Sequence, residues 1–199
     1  MQIKYSKSVI EFEKELNLLD KFVIDFTSVL NKSKIKYVLI AGYISILFGR
    51  SRSSEDVDIF IEDIGFKKFE SLWNNLSVNF YCLNAQNAKY AYSNYLKNNY
   101  AIRFSNKGSV IPNMELSFPK GIFGEISLND KIKVIVNKNE LYISPLELQI
   151  AFKLYLGSEK DIEDAKHLYI VFRNNLDIES LRVFNKKLKV SGIFRRYLL

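Results

Sequence analysis

The 199-residue chain holds one cysteine, one histidine and one tryptophan, and no long hydrophobic run. Each scarcity removes a class of function. Because Cys82 is the only cysteine, no internal disulfide can form; a reducing cytoplasm is the expected compartment, and Cys82 is expected as a small buried hydrophobe. Because His167 is the only histidine, catalysis by paired histidines, zinc sites with several His ligands and Cys₂His₂ fingers are excluded. In Lys166-His167-Leu168 it reads as an ordinary surface or interhelix residue. Carboxylates and lysines must carry any chemistry. The longest apolar stretch, Val38 to Gly49, is too short to span a bilayer and is interrupted by polar residues, so no membrane association is expected. Met1 to Glu15 is mixed and charged, which is not the pattern of a signal segment. The chain has no internal repeat and no low-complexity tract.

Acid is also missing locally. Between Ser71 and Met114 there is no Asp or Glu, while Lys89, Lys97, Arg103 and Lys107 stand among Tyr81, Tyr90, Tyr92, Tyr95 and Tyr100. The C-terminal stretch adds Lys186, Lys187, Lys189, Arg195 and Arg196, within a formal net charge of +7 that favours an anionic partner. Basic groups interleaved with aromatic rings can hold a phosphate backbone and stack bases. The same pattern arises when tyrosines pack a helix and lysines are solvated, so both readings stay open here.

With 48% hydrophobic and 14% aromatic residues, the chain can bury a core of one large domain, or a core with a small appended part. Helical spacing from Ser8 to Leu30 (Ile10, Leu16, Leu19, Phe22, Val23, Phe26, Val29, Leu30) predicts an opening amphipathic helix. Tyr37-Val38-Leu39-Ile40 and Val57 to Ile61 read as buried strands, joined by Gly42, a short helix from Tyr43 to Phe48, and a polar loop from Arg50 to Ser54. Phe66 to Leu76 and Ala88 to Leu96 read as helices; strands are expected around Phe80 to Leu83, Ala101 to Phe104 and Met114 to Phe118. Ile132 to Val136 and Leu141 to Ile143 suggest a hairpin.

Ser144-Pro145-Leu146-Glu147 predicts a capped helix start, with Ser as N-cap and Glu closing a capping box, running to Leu156 and stopping at Gly157. Ser158 and Asp161 restart it through Phe172, with a Lys160–Asp164 pair on its surface, and a last helix runs from Asp177 to Val190. The expected organisation is a mixed α/β core over 1–143 followed by a helical part over 144–199.

The chemistry is concentrated at Asp56-Val57-Asp58. Residues i and i+2 of a strand face the same way, so the two carboxylates stand side by side at the start of an apolar run. Two converging carboxylates are costly unless a cation lies between them, and Mg²⁺ prefers one or two carboxylates plus substrate phosphates. Metal-assisted transfer of a nucleotide or phosphoryl group is therefore the first expectation. It needs a flexible turn near phosphate, a third carboxylate from a neighbouring strand, and basic groups to neutralise a triphosphate. Ala41-Gly42 can supply the turn, Glu115 the third carboxylate, and Arg50, Arg52, Lys153 and Lys160 the basic groups. Lys153 lies among Leu148, Ile150, Ala151, Phe152 and Leu154, where a lysine reaches toward an anion or snorkels to water.

Leu39-Ile40-Ala41-Gly42-Tyr43 followed by Phe48-Gly49-Arg50-Ser51-Arg52-Ser53-Ser54-Glu55-Asp56-Val57-Asp58 resembles the signature of nucleotidyltransferases related to the AbiEii abortive-infection toxins, within the DNA polymerase beta-like nucleotidyltransferase superfamily. Ser144-Pro145-Leu146-Glu147-Leu148 with Lys153, and Lys160-Asp161-Ile162-Glu163-Asp164, resemble the family's later helices. The resemblance spans about 37 to 168. It implies an α/β nucleotidyltransferase fold, a mixed β-sheet core flanked by helices, and Mg²⁺-dependent attack on the α-phosphate of an NTP. Asp56, Asp58 and Glu115 would hold metal, with Glu115 also helping to activate the acceptor hydroxyl and Lys153 serving catalysis. Gly42, Tyr43, Arg52, Ser54, Lys160 and Asp161 would surround the nucleotide.

Ala41 stands where the family has its first glycine, and Glu115 where it usually has Asp. The acceptor expected from the basic surface and the resemblance is RNA, particularly tRNA, in a toxin–antitoxin or phage-defence setting, with a cognate toxin or antitoxin as possible partner. Two alternatives stand beside it: AMP transfer onto a partner protein, and a decayed nucleotide-binding or antitoxin-like module.

Overall fold

The structure is a computed structural model that describes residues 3–6 and 8–199. Its centre is a mixed sheet of nine strands among the described residues. In chain order these are β1 (Lys4–Ser6), β2 (Val9–Phe12), β3 (Tyr37–Ile40), β4 (Asp56–Ile61), β5 (Phe80–Cys82), β6 (Ile102–Asn106), β7 (Asn113–Ser117), β8 (Ile132–Val136) and β9 (Asn139–Ile143). They lie side by side as β1-β2-β8-β9-β3-β4-β7-β6-β5. β4 runs antiparallel to β3 and parallel to β7, which runs antiparallel to β6.

The helices are α1 (Leu18–Lys32), α2 (Gly42–Leu47), α3 (Phe66–Leu76), α4 (Ala88–Tyr90), α5 (Gly121–Asn129), α6 (Leu146–Leu156), α7 (Glu159–Phe172), α8 (Ile178–Lys187) and α9 (Ser191–Leu198). α4 runs on through a π-helical turn (Ala91–Tyr95) and a 3₁₀ turn (Leu96–Asn98), closed by Asn99 in the left-handed region. No helix among the described residues is long and apolar enough to cross a membrane.

Strand alternation divides the sheet into a core face and a working face. Val57, Ile59 and Ile61 of β4 are fully buried, as are Met114 of β7 and Phe104 of β6. Phe26 of α1 and Trp73 of α3 pack on Phe104 at 5.9 and 5.3 Å between ring centroids, which places α1 and α3 over this face. Asp56, Asp58 and Phe60 alternate with the buried residues and therefore face the other way. There α5 packs against β3 and β4, and the C-terminal helices close the end of the sheet, α7 reaching α2.

Several expectations change. The opening helix does not begin at Ser8: Val9–Phe12 is strand β2, paired parallel to β8. Its four-residue alternation merges with helical spacing further on, and the helix starts where it can be capped. Asn17 Oδ1 accepts the Asp20 N–H at 2.8 Å, and Asp20 Oδ2 accepts the Asn17 N–H at 3.1 Å. The expected capping box at Ser144 is absent. α6 starts after Pro145 with no side-chain cap; Ser144 Oγ lies 3.1 Å from Ser127 Oγ, and Glu147 instead accepts the Asp177 N–H at 2.8 Å.

Gly157, at φ +72, does end α6, and Ser158 Oγ accepts the Asp161 N–H to start α7. The helix expected from Asp177 to Val190 is α8, and a further helix, α9, follows it after Lys189 at φ +58 turns the chain. Cys82 is half-buried on β5, and burial pushes its thiol pKa up. His167 bridges elements, its Nε2 3.1 Å from the Phe48 carbonyl oxygen.

Candidate active site

The register across β3, β4, β7 and β6 builds the site. Asp58 lies opposite Glu115 on β7, Glu115 opposite Arg103 on β6, and Asp58 opposite Ile40 on β3. Asp58, Glu115 and Arg103 thus form one cross-strand row on the working face, with Asp56 one step toward the start of β4. Asp56 is exposed; its carbonyl accepts the Ser54 hydroxyl at 3.0 Å, and its Oδ1 lies 3.4 Å from the same Oγ. Glu115 is clamped by Arg103, with Nη2 2.5 Å from Oε1.

Asp58 carries the strain of this crowding. Partial burial, then the charges of Glu115 and Asp56, push its carboxyl pKa up to about 6, against the smaller opposing pull of Lys153 and Arg103. Its two acidic neighbours outweigh the cations that reach it. Among the described residues, no three carboxylates, histidines or cysteines are gathered tightly enough to hold a metal unaided. The donor set nonetheless fits Mg²⁺ of the two-carboxylate kind, in which triphosphate oxygens complete the shell. A divalent cation there would offset the like-charge part of the shift at Asp58, which adds to the larger effect of burial.

A second cluster stands beside the first. Asp164 of α7 is fully buried and is reached by three cations: Arg50 Nη1 at 2.5 Å, Arg52 Nε at 3.1 Å and Lys153 Nζ at 2.9 Å. Lys153, only 3% exposed, also holds Asp161 Oδ1 at 2.7 Å. That contact and the Ser158 hydroxyl hold the Asp161 pKa down against its partial burial. Arg52 lies over the start of α2. A Cβ added at Gly42 would come 2.1 Å from Arg52 Nη2, so only glycine lets the guanidinium rest there. Ala41, just before it, holds φ +58 and ψ −132, a conformation suited to glycine. That turn is held here by a residue with a methyl group.

The structure brings Asp56, Asp58 and Glu115 together and gathers Gly42, Arg52, Lys153 and Asp161 around Asp164. It does not bring Tyr43 to the surface. That side chain is fully buried and its hydroxyl donates to Asp20 Oδ1 at 3.0 Å, because Asp20 is buried and needs the donor. Tyr43 therefore supports α2 from below and does not face a nucleotide. Lys160 is exposed on the first turn of α7, and Asp164 turns inward to Arg50, Arg52 and Lys153 instead of pairing with it. Asp164, expected as a surface partner of Lys160, is instead the buried centre of this cluster.

No protein-family model and no curated protein matches the chain. Among solved structures it is similar to an antigenic nucleotidyltransferase-like protein from Paracoccidioides brasiliensis, at 16% identity and TM-score 0.57, over 89% of this chain and 90% of that one. It is also similar to the lincosamide antibiotic adenylyltransferase LnuA in its lincomycin-bound form, at 14% identity and TM-score 0.53, over 77% of this chain and 98% of that one. A third is the antibiotic-resistance factor ANT(2'')-Ia, at 10% identity and TM-score 0.54, over 89% and 91%. The chain has a nucleotidyltransferase fold.

Proposed function

We propose that this protein is a Mg²⁺-dependent nucleotidyltransferase that moves an NMP, or a short run of nucleotides, from NTP to an acceptor hydroxyl. The observation that carries the reading is the acidic row at the start of β4 and β7, where Asp58 is crowded by Glu115 and Asp56 beside a cation-rich helix start. Asp56 and Asp58 would hold Mg²⁺, which would supply charge neutralisation at the reacting phosphate. Glu115, once Arg103 releases it, accepts the proton of the attacking hydroxyl. The new O–P bond forms at the α-phosphate as the α–β bridging bond breaks, and pyrophosphate leaves. Gly42 lets the backbone approach phosphate, and Arg52, Lys153 and the exposed Lys160 neutralise its charge. The Ala41 turn keeps its glycine-like geometry, which supports an intact site over a decayed one.

The acceptor in this reading is RNA, tRNA foremost. It rests on the net charge of +7 and the acid-free stretch from Ser71 to Met114. The motif likeness to AbiEii-type enzymes adds a toxin–antitoxin or phage-defence setting in the cytoplasm, with a cognate toxin or antitoxin as partner. The test is a transfer assay with labelled NTPs, Mg²⁺ and total RNA or tRNA. Label should move to RNA with the wild type and not with Asp56→Ala or Asp58→Ala. Label on protein, no transfer with any NTP, or full activity in either variant would overturn the reading.

A further inference from the structure

Where the sheet ends at β5, a cleft of about 880 Å³ opens between α3, β5 and α4, within the range that ligand sites occupy. Its lining includes Trp73, Tyr81, Asn84, Tyr90, Tyr95 and Lys107, and no Asp or Glu. Tyr90 is half-exposed and meets Tyr95 edge-on at 6.1 Å between ring centroids. These rings come from the basic, aromatic stretch noted in the sequence, and the structure divides that stretch in two. Tyr92 and Lys97 serve the fold: the Tyr92 hydroxyl donates to the Ile64 carbonyl at 3.0 Å, and Lys97 pairs with Asp63 at 3.2 Å. Tyr81, Tyr90, Tyr95 and Lys107 turn to the cleft.

Across the sheet edge from the acidic row, the cleft touches β6 through a backbone contact. Asn84 lines it, and Asn84 Oδ1 accepts the Arg103 N–H at 2.9 Å. The Arg103 side chain, 53% exposed, then reaches Glu115 opposite Asp58. From β5 to β4 is three strand spacings, roughly 14 Å.

We propose that this cleft binds the single-stranded end of the acceptor RNA: bases stack on Tyr90 and Tyr95, Lys107 and Arg103 take backbone phosphates, and Arg103 gives up Glu115 as it does so. The inference rests on the nucleotidyltransferase reading for the meaning of the acidic row, but the binding claim stands apart from turnover. Rings without acids nearby suit any base, because every base has a π-face, and two exposed cations supply the phosphate contacts. In the free protein Arg103 neutralises Glu115; an incoming phosphate replaces that carboxylate as its partner, so acceptor binding frees the acid beside Asp58.

The experiment measures binding of a fluorescent single-stranded RNA oligonucleotide to the full chain across a salt series, with no NTP present. Binding should weaken with salt. Combined Arg103→Gln and Lys107→Gln should weaken it about tenfold and flatten the log–log salt slope by about 1.4, the share of two phosphate contacts on a single strand. Tyr90→Ala should weaken it between about 5- and 100-fold, as loss of one stacked base does, without changing the thermal midpoint. No RNA binding by the wild type, equal affinity for a duplex of the same sequence, or unchanged affinity in both variants would overturn the cleft. If RNA binds here as described but the wild type transfers no label to it, the cleft stands and the transferase reading falls.

Discussion

Two groups of carboxylates stand close together in this protein and live under opposite rules. Asp164 has no exposed surface, yet Arg50, Arg52 and Lys153 all lie within 3.1 Å of it. Asp58 is only partly exposed, and burial first, then the charges of Glu115 and Asp56, push its pKa up to about 6. Burial alone would rank them the other way. The one that is fully buried is satisfied, and the one that water reaches is not. A buried carboxylate survives only with partners, and this one has an excess of them, so it is scaffold. A partly buried carboxylate kept beside two like charges costs the fold stability, which is the pattern of a functional site and not of a scaffold.

The largest expected effect comes from removing charge at the unsatisfied group. Asp58→Asn should reduce transfer by about a thousandfold or more, on the scale of losing a preorganised electrostatic contact. The same change should stabilise the metal-free fold. The folded-state pKa of Asp58, about 6, lies above its unfolded value of 3.8, so the folded chain holds a proton that the unfolded chain releases. That contribution is complete below pH 4 and lost as pH rises through 6. Asp58→Asn should therefore gain on the wild type by no more than about 2 kcal/mol at pH 8, the gain vanishing near pH 4, in urea unfolding without metal. Mg²⁺ with NTP should reverse the order, raising the wild-type midpoint and not the variant's. A variant less stable than wild type at pH 8 would mean that Asp58 has a structural partner, and the contrast with Asp164 would collapse.

The satisfied group should respond in the opposite sense. Asp164→Asn leaves Arg50, Arg52 and Lys153 crowded together with only Asp161 in reach. Removing one partner from a buried ion cluster typically costs about 3–5 kcal/mol, and chemical denaturation should show a loss of about that size at neutral pH. A loss below about 1 kcal/mol would show that water already screens the cluster and that Asp164 is no anchor.

These two groups also differ in how far the sequence reveals them. The Asp56/Asp58 pair is legible because strand alternation fixes two side chains on one face wherever the strand goes. Asp164 is not, because its partners Arg50 and Arg52 are 114 and 112 residues away and only the docking of α7 beside α2 brings them near. Likewise β2 is hidden inside a stretch whose spacing suits a helix, since its pairing with β8 is a long-range event that no local pattern encodes. α5 carries no local signature, because Gly121 and Gly124 open it without amphipathic spacing; it forms by packing on β3 and β4. The Ser144 box failed for the opposite reason: the pattern was right, but Ser127 and Asp177 offered tertiary partners that the local ones could not match.

The smallest effect sits at the turn entering α2, which Arg52 ties to the Asp164 cluster and Ile40 to Asp58. Ala41 holds φ +58, where its methyl crowds the backbone, a conformation that costs about 1–3 kcal/mol outside glycine. Ala41→Gly removes that crowding but gives the unfolded chain more freedom, offsetting roughly 0.5–1 kcal/mol of the gain. The net should be a stabilisation of about 1 kcal/mol, read as a rise in the thermal midpoint. The neighbouring contacts should persist, since Gln149 Nε2 donates to the Ala41 carbonyl, which both residues carry. NTP affinity should then stay the same or improve, because the backbone at Gly42 keeps its position while losing strain. A fall in stability would place Ala41 outside the left-handed region and remove the turn that sets Gly42 under Arg52. That outcome would unlink the two carboxylate groups, because this turn is the shortest covalent path between the strand facing Asp58 and the helix that packs on α7.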